Sequence, residues 1–126
     1  MATIKSYTDL EQSRTLAKIL SIQSADMYWD LLSKDKYAKV NNIGHCLCRT
    51  CVYAWSLAAL LEEIPEVINF DDDESDYTLE ILKEHELYYL SYGNPLRYGK
   101  IEIEPQENFV DACVAMIEKL NELNLL

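Results

Sequence analysis

Between residues 77 and 103 the chain alternates apolar and polar side chains in short runs, and no other feature limits its fold as much. Tyr77, Leu79 and Ile81 alternate with Thr78 and Glu80, while Ile101 and Ile103 alternate with Lys100, Glu102 and Glu104. A period of two marks a strand with one dry and one wet face, and antiparallel sheets tolerate a solvated face. Leu87-Tyr88-Tyr89-Leu90-Ser91-Tyr92 supplies the run between them. The connections agree. Lys83-Glu84-His85-Glu86 is short enough for a hairpin, and Gly93-Asn94-Pro95 joins a flexible residue to one of fixed dihedral.

A dry sheet face needs helices to cover it. The last predicted helix begins at Asn108 and runs to residue 123, with Phe109, Cys113, Met116, Ile117, Leu120 and Leu123 recurring every three or four residues. Asn108 can cap its first turn, and Asp111 meets the positive end of the dipole. A second helix is predicted over residues 54–63, ended by Pro65. Its apolar Trp55, Leu57, Ala58, Leu60, Leu61 and Ile64 occupy most of the circumference, which predicts the central helix of the core. At the start of the chain Thr8-Asp9-Leu10-Glu11 has the form of a capping box. The helix it opens, residues 9–20, presents Leu10, Leu16, Ala17, Ile19 and Leu20 on one side.

Residues 24–43 fit two patterns. Met27-Tyr28-Trp29-Asp30-Leu31-Leu32 suits a strand by its aromatic content, and suits a helix by its Ser24 cap and its Tyr28, Leu31, Leu32 spacing. The strand reading makes Ser33-Lys34-Asp35-Lys36 a turn and Tyr37-Ala38-Lys39-Val40 the returning arm of a hairpin. The order that results is an α+β domain: one antiparallel sheet of about four to five strands, with three helices packed mainly on one face. The 126 residues can form one domain that buries roughly two-thirds of its unfolded surface without disulfide or structural metal.

Charge removes several functions. With 11 Lys+Arg against 22 Asp+Glu the net charge is −11, which leaves no basic stripe for phosphate and predicts no direct binding of nucleic acid. An anionic membrane surface is disfavoured in the same way, and the apolar run from Leu57 to Leu61 is too short to cross a bilayer. Met1-Ala2-Thr3-Ile4-Lys5-Ser6 lacks the features of a secretory signal, so a cytoplasmic location is expected, with the four cysteines as free thiols.

Four stretches of the chain resemble a group of short uncharacterised bacterial proteins: Ser6-Tyr7-Thr8-Asp9-Leu10-Glu11-Gln12-Ser13, Ser24-Ala25-Asp26-Met27-Tyr28, Trp55-Ser56-Leu57-Ala58-Ala59-Leu60-Leu61 and Asp111-Ala112-Cys113-Val114-Ala115-Met116-Ile117-Glu118-Lys119-Leu120. The resemblance spans about half the chain. It implies a compact intracellular domain and brings with it no activity, ligand or catalytic residue. The cysteine-rich segment lies outside it.

That segment, His45-Cys46-Leu47-Cys48-Arg49-Thr50-Cys51, has the strongest ligand chemistry in the chain. His45, Cys46, Cys48 and Cys51 are zinc ligands by type. A closed tetrahedral site normally draws a second pair from a distant segment, and only His85 and Cys113 remain, the latter within an apolar helical stripe. A redox reading places Cys51 in the first turn of the second helix beside Arg49, where dipole and charge would favour a thiolate. An EF-hand frame through Asn69, Asp71, Asp73 and Glu80 fails at Glu74, where the turn needs Gly.

No complete catalytic signature appears, and neither histidine has a context that selects a nucleophile. Tyrosine is prominent, with nine Tyr against two Phe. Tyr88, Tyr89, Tyr92 and Tyr98 belong to the predicted sheet, and since neighbours on a strand point to opposite faces, an exposed tyrosine surface is expected. Two functional readings follow. One is a non-enzymatic interaction or accessory protein, binding a partner or itself through that sheet, with an acidic imitator of nucleic acid as a narrower form. The other is a thiol-based metal or redox protein using residues 45–51.

Overall fold

A computed structural model describes residues 5–34, 37–41, 49–69, 76–94 and 97–126, for 97–100 the backbone alone. The helices are α1 (Leu10–Leu16), α2 (Leu57–Glu63) and α3 (Phe109–Glu122), with a short 3₁₀ turn at Ile22–Ser24. The strands are β1 (Met27–Asp30), β2 (Lys39–Val40), β3 (Cys51–Ala54), β4 (Val67–Asn69), β5 (Asp76–Glu84), β6 (Leu87–Asn94) and β7 (Arg97–Glu102). The class is α+β, as the alternating runs require. The strands divide into two antiparallel sheets, ordered β2-β1-β3 and β4-β5-β6-β7.

The helix α1 starts one residue later than its sequence suggests. Asp9 is the N-cap: its carboxylate accepts from Gln12 N at 2.8 Å, and Gln12 Oε1 accepts from Asp9 N at 3.1 Å. Thr8 is withdrawn from capping because it is buried against Trp55. Its N–H donates to Trp55 O at 2.9 Å, and its hydroxyl accepts from Trp55 N at 3.1 Å. Ser13 gives its hydroxyl proton to Asp9 O, so the 2.7 Å Thr8–Ser13 bond takes its proton from Thr8.

For residues 24–43 the strand reading holds: Met27 pairs with Val40 and Tyr28 with Lys39. A strand unseen in the sequence, β3, pairs along the other edge of β1 from Met27–Ala54 to Asp30–Cys51. The expected helix start at Ala54 is therefore corrected to Leu57. Val52 and Tyr53 favour a pleated surface over a helix, and Ser56 sets the boundary. Its hydroxyl accepts from Ala59 N at 3.2 Å, its N–H donates to Asp26 Oδ1 at 2.8 Å, and its hydroxyl donates to Asp26 Oδ2.

The expectation that this second helix is the core helix is also corrected. The seven-residue α2 buries Leu60, and Ala58 is exposed. Instead α3 occupies the centre, burying Val110, Ala112, Cys113, Val114, Met116, Ile117 and Leu120. These pack in one apolar cluster with Leu16, Trp55 and Leu60 and with Tyr77, Leu90, Tyr92 and Ile101 from the inner face of the four-stranded sheet. Beyond Pro65, which ends α2, β4 pairs with β5 through Val67–Thr78 and Ile68–Tyr77. The β5–β6 connection is a two-residue turn, His85-Glu86, with φ of 52° and 63°. That is the twist-matched hairpin geometry usually given to Asn-Gly, occupied here by side chains that resist it.

Candidate functional site

Because side chains alternate along β6, Tyr88, Leu90 and Tyr92 face α3 while Tyr89 and Ser91 face away. The pairing of β6 with its neighbours decides what surrounds them. Leu82 lies opposite Tyr89, Glu80 opposite Ser91, and Glu102 opposite Ser91 on the other side. The outer face thus carries an apolar pair, Leu82–Tyr89, beside a row Glu80–Ser91–Glu102 in which two carboxylates flank a hydroxyl. They sit about two strand spacings, roughly 10 Å, apart. Leu82 is 54% exposed. A groove of about 420 Å³ runs over these residues, with Ile103 and Pro105 also in its lining.

A second groove, about 610 Å³, lies between the segment after β7 and α3 and is lined by Glu104, Glu118, Lys119 and Glu122. The two grooves share Glu102, Ile103 and Pro105 in their linings, so they adjoin along the end of β7 and the segment after it. Among the described residues none of Glu80, Glu102, Glu104, Glu118 and Glu122 has a cationic side chain within ion-pair distance.

A contrasting polar cluster ties the N-terminal segment to the start of α3. Lys5 Nζ donates to Asp111 Oδ1 at 2.7 Å, to Gln12 Oε1 at 2.7 Å and to Asp9 Oδ2 at 3.1 Å, and Gln12 Nε2 donates to Asp111 Oδ1 at 2.8 Å. Burial by itself would raise the Asp111 carboxyl. The hydrogen bonds from Lys5 and Gln12, the Lys5 charge and a bond from Asn108 outweigh it and hold the carboxyl below its ordinary value. Every group of this cluster has a partner, and it acts as a clamp.

Of the predicted tyrosine surface, Tyr89 lies on the outer face and lines the groove. Tyr88 is half-buried on the inner side, stacked on Phe109 with centroids 5.1 Å apart. Tyr92 is corrected from surface to core: it is fully buried, and its hydroxyl donates to Pro65 O at 2.6 Å. Burial pushes its phenol above the ordinary range. The Tyr98 side chain lies outside the described residues, as do His45, Cys46, Cys48 and the Asp71 and Asp73 of the rejected EF-hand frame.

Cys51 lies in β3, half-buried, six residues before α2 begins at Leu57, so the helix-start premise of the redox reading is corrected. Cys113 is fully buried in α3, where desolvation pushes its thiol up to about 12 and keeps it protonated and inert. Among the described residues no group of three or more His, Cys, Asp or Glu is placed to hold a metal ion, and no helix is long and apolar enough to cross a membrane. Exposed Glu11, Glu62, Glu66 and Glu107 are outside the linings of both grooves, so the negative charge is not drawn into a single array.

The sequence signal for the groove was present in its parts. Alternation put Glu80 and Glu102 on wet faces, yet only the register of β5, β6 and β7 brings them to either side of Ser91. Comparison of the chain with protein-family models, with curated proteins and with solved structures gives no match in any of the three.

Proposed function

We propose that this chain is a small, non-enzymatic interaction protein that receives another protein on the outer face of β5, β6 and β7. One observation carries the reading: exposed Leu82 and half-buried Tyr89 lie side by side on a sheet face, in a groove bordered by carboxylates with no cation in ion-pair distance among the described residues. Amphipathic aromatic and aliphatic side chains at the centre of a polar border match the anatomy of protein interfaces. Among the described residues no hydrogen bond joins Glu80 or Glu102 to the Ser91 hydroxyl, and no His or Cys lines the groove, so no nucleophile–base pair is assembled there.

Photo-cross-linking tests the reading. A benzophenone amino acid at position 89 of the full chain, in its cell of origin, is expected to give one dominant adduct with another protein, and Leu82→Asp is expected to abolish it. The same probe at Glu62 on α2 should give none. An adduct at position 89 that survives Leu82→Asp, or no adduct, would overturn the docking site. An adduct of twice the chain's own mass would replace the outside partner with a second copy.

A further inference from the structure

Resting on that docking reading, we propose that the occupant of the groove is an extended basic segment of another protein. It brings an apolar side chain to Leu82 and Tyr89 and Lys or Arg side chains to Glu80 and Glu102, and it continues past Pro105 toward Glu118 and Glu122.

The carboxylates select the partner by what they refuse. A surface that covers Leu82 and Tyr89 and continues over Ser91 also takes Glu80 and Glu102, the cross-strand partners of Ser91, out of water. A neutral apolar surface would leave both charges desolvated and unpaired, which costs more than the apolar contact returns. A second copy of this chain would bring another −11 to the same place, and nucleic acid would be repelled in the same way. A single divalent cation is poorly served, because calcium takes about six to eight oxygen ligands and this row offers two carboxylates and one hydroxyl. A chain bearing spaced cations meets all these conditions.

The α3 end of the groove points the same way. Glu118 and Glu122 are one helical turn apart near the C-terminus of α3, where the macrodipole is negative and carboxylates are unfavourable. Lys119 lines the same groove, but among the described residues no cation lies within ion-pair distance of either carboxylate. A basic segment lying along both grooves would relieve this repulsion only when bound. The segment is taken as extended because the proposed path crosses three strands and then turns about Pro105 to reach α3.

The probe is a short fluorescein-labelled peptide alternating arginine and serine around one central leucine, titrated with the full chain and followed by anisotropy. Binding is expected for this peptide, absent for its counterpart with glutamine in place of arginine, and weakened as salt is raised. Glu80→Gln with Glu102→Gln should weaken it roughly tenfold, whereas Glu62→Gln with Glu63→Gln on α2 should leave it unchanged. All four positions are at least partly exposed, and circular dichroism checks that each variant keeps its fold. If the α2 variant weakens binding as much as the groove variant, or if the arginine peptide does not bind, the basic-segment assignment is overturned. The docking reading falls separately: a cross-link at position 89 that needs Leu82 but persists in Glu80→Gln/Glu102→Gln would keep the site and remove the basic partner.

Discussion

Among the described residues the covered side leaves no buried side-chain nitrogen or oxygen without a partner, whereas Glu80 and Glu102 on the outer face have no cation within ion-pair distance. Tyr92, at the sheet's inner face, donates to Pro65 O, and Asp111, at the start of α3, is held by Lys5 and Gln12. On the outer face Glu80 and Glu102 flank Ser91 with no cation among the described residues, and the far end of the same helix α3 carries Glu118 and Glu122 in the same condition. The covered side accounts for the fold. The open side contributes little to it and, at the α3 terminus, works slightly against it.

The widest gap between the two sides should appear in leucines. Leu90→Ala, on the inner face at 1% exposure, is expected to cost about 2–5 kcal/mol. Leu82→Ala, on the outer face, should change stability by no more than about 0.5 kcal/mol. Urea denaturation compares them, and equal losses would erase the distinction between the faces.

Next in size is the clamp. Asp111→Asn is expected to cost about 1–2 kcal/mol at neutral pH. The Asp111 carboxyl is depressed in the folded state, so its contribution is complete above the unfolded value, near ~3.9, and is lost as pH falls through the folded value. The stability curves of the wild type and the Asp111→Asn variant should therefore approach one another below about pH 4. Parallel curves down to strong acid would show that the clamp holds no charge-dependent stability.

At the hairpin that carries the Leu82–Tyr89 pair, Glu86→Gly relieves a side chain held at φ 63° and should stabilise the protein by about 1 kcal/mol, read as a rise in Tm. The smallest effect belongs to the end of α3. Glu118→Gln with Glu122→Gln should raise stability by about 0.3–1 kcal/mol at low ionic strength, shrinking as salt is added. A loss of stability instead would mean that these carboxylates serve the fold, and the comparison would fail at its open end.

Some of this was written locally. Alternation from Tyr77 to Ile103 determined the three strands of the larger sheet, and the stripe from Phe109 to Leu120 determined α3, because those patterns follow from the periods of strand and helix alone. For residues 24–43 the sequence left strand and helix both open, and pairing along both edges of β1 decided for the strand. Tertiary structure decided the rest. Thr8 gave up the cap to Asp9 because Trp55 offered it two buried hydrogen bonds, and Cys51–Ala54 became a strand because β1 presented an open edge. Partners distant in sequence outbid local preference in both cases. The groove belongs wholly to this second kind, since Glu80, Ser91 and Glu102 are brought into one row by strand register, a property of the assembled sheet and of none of its strands separately.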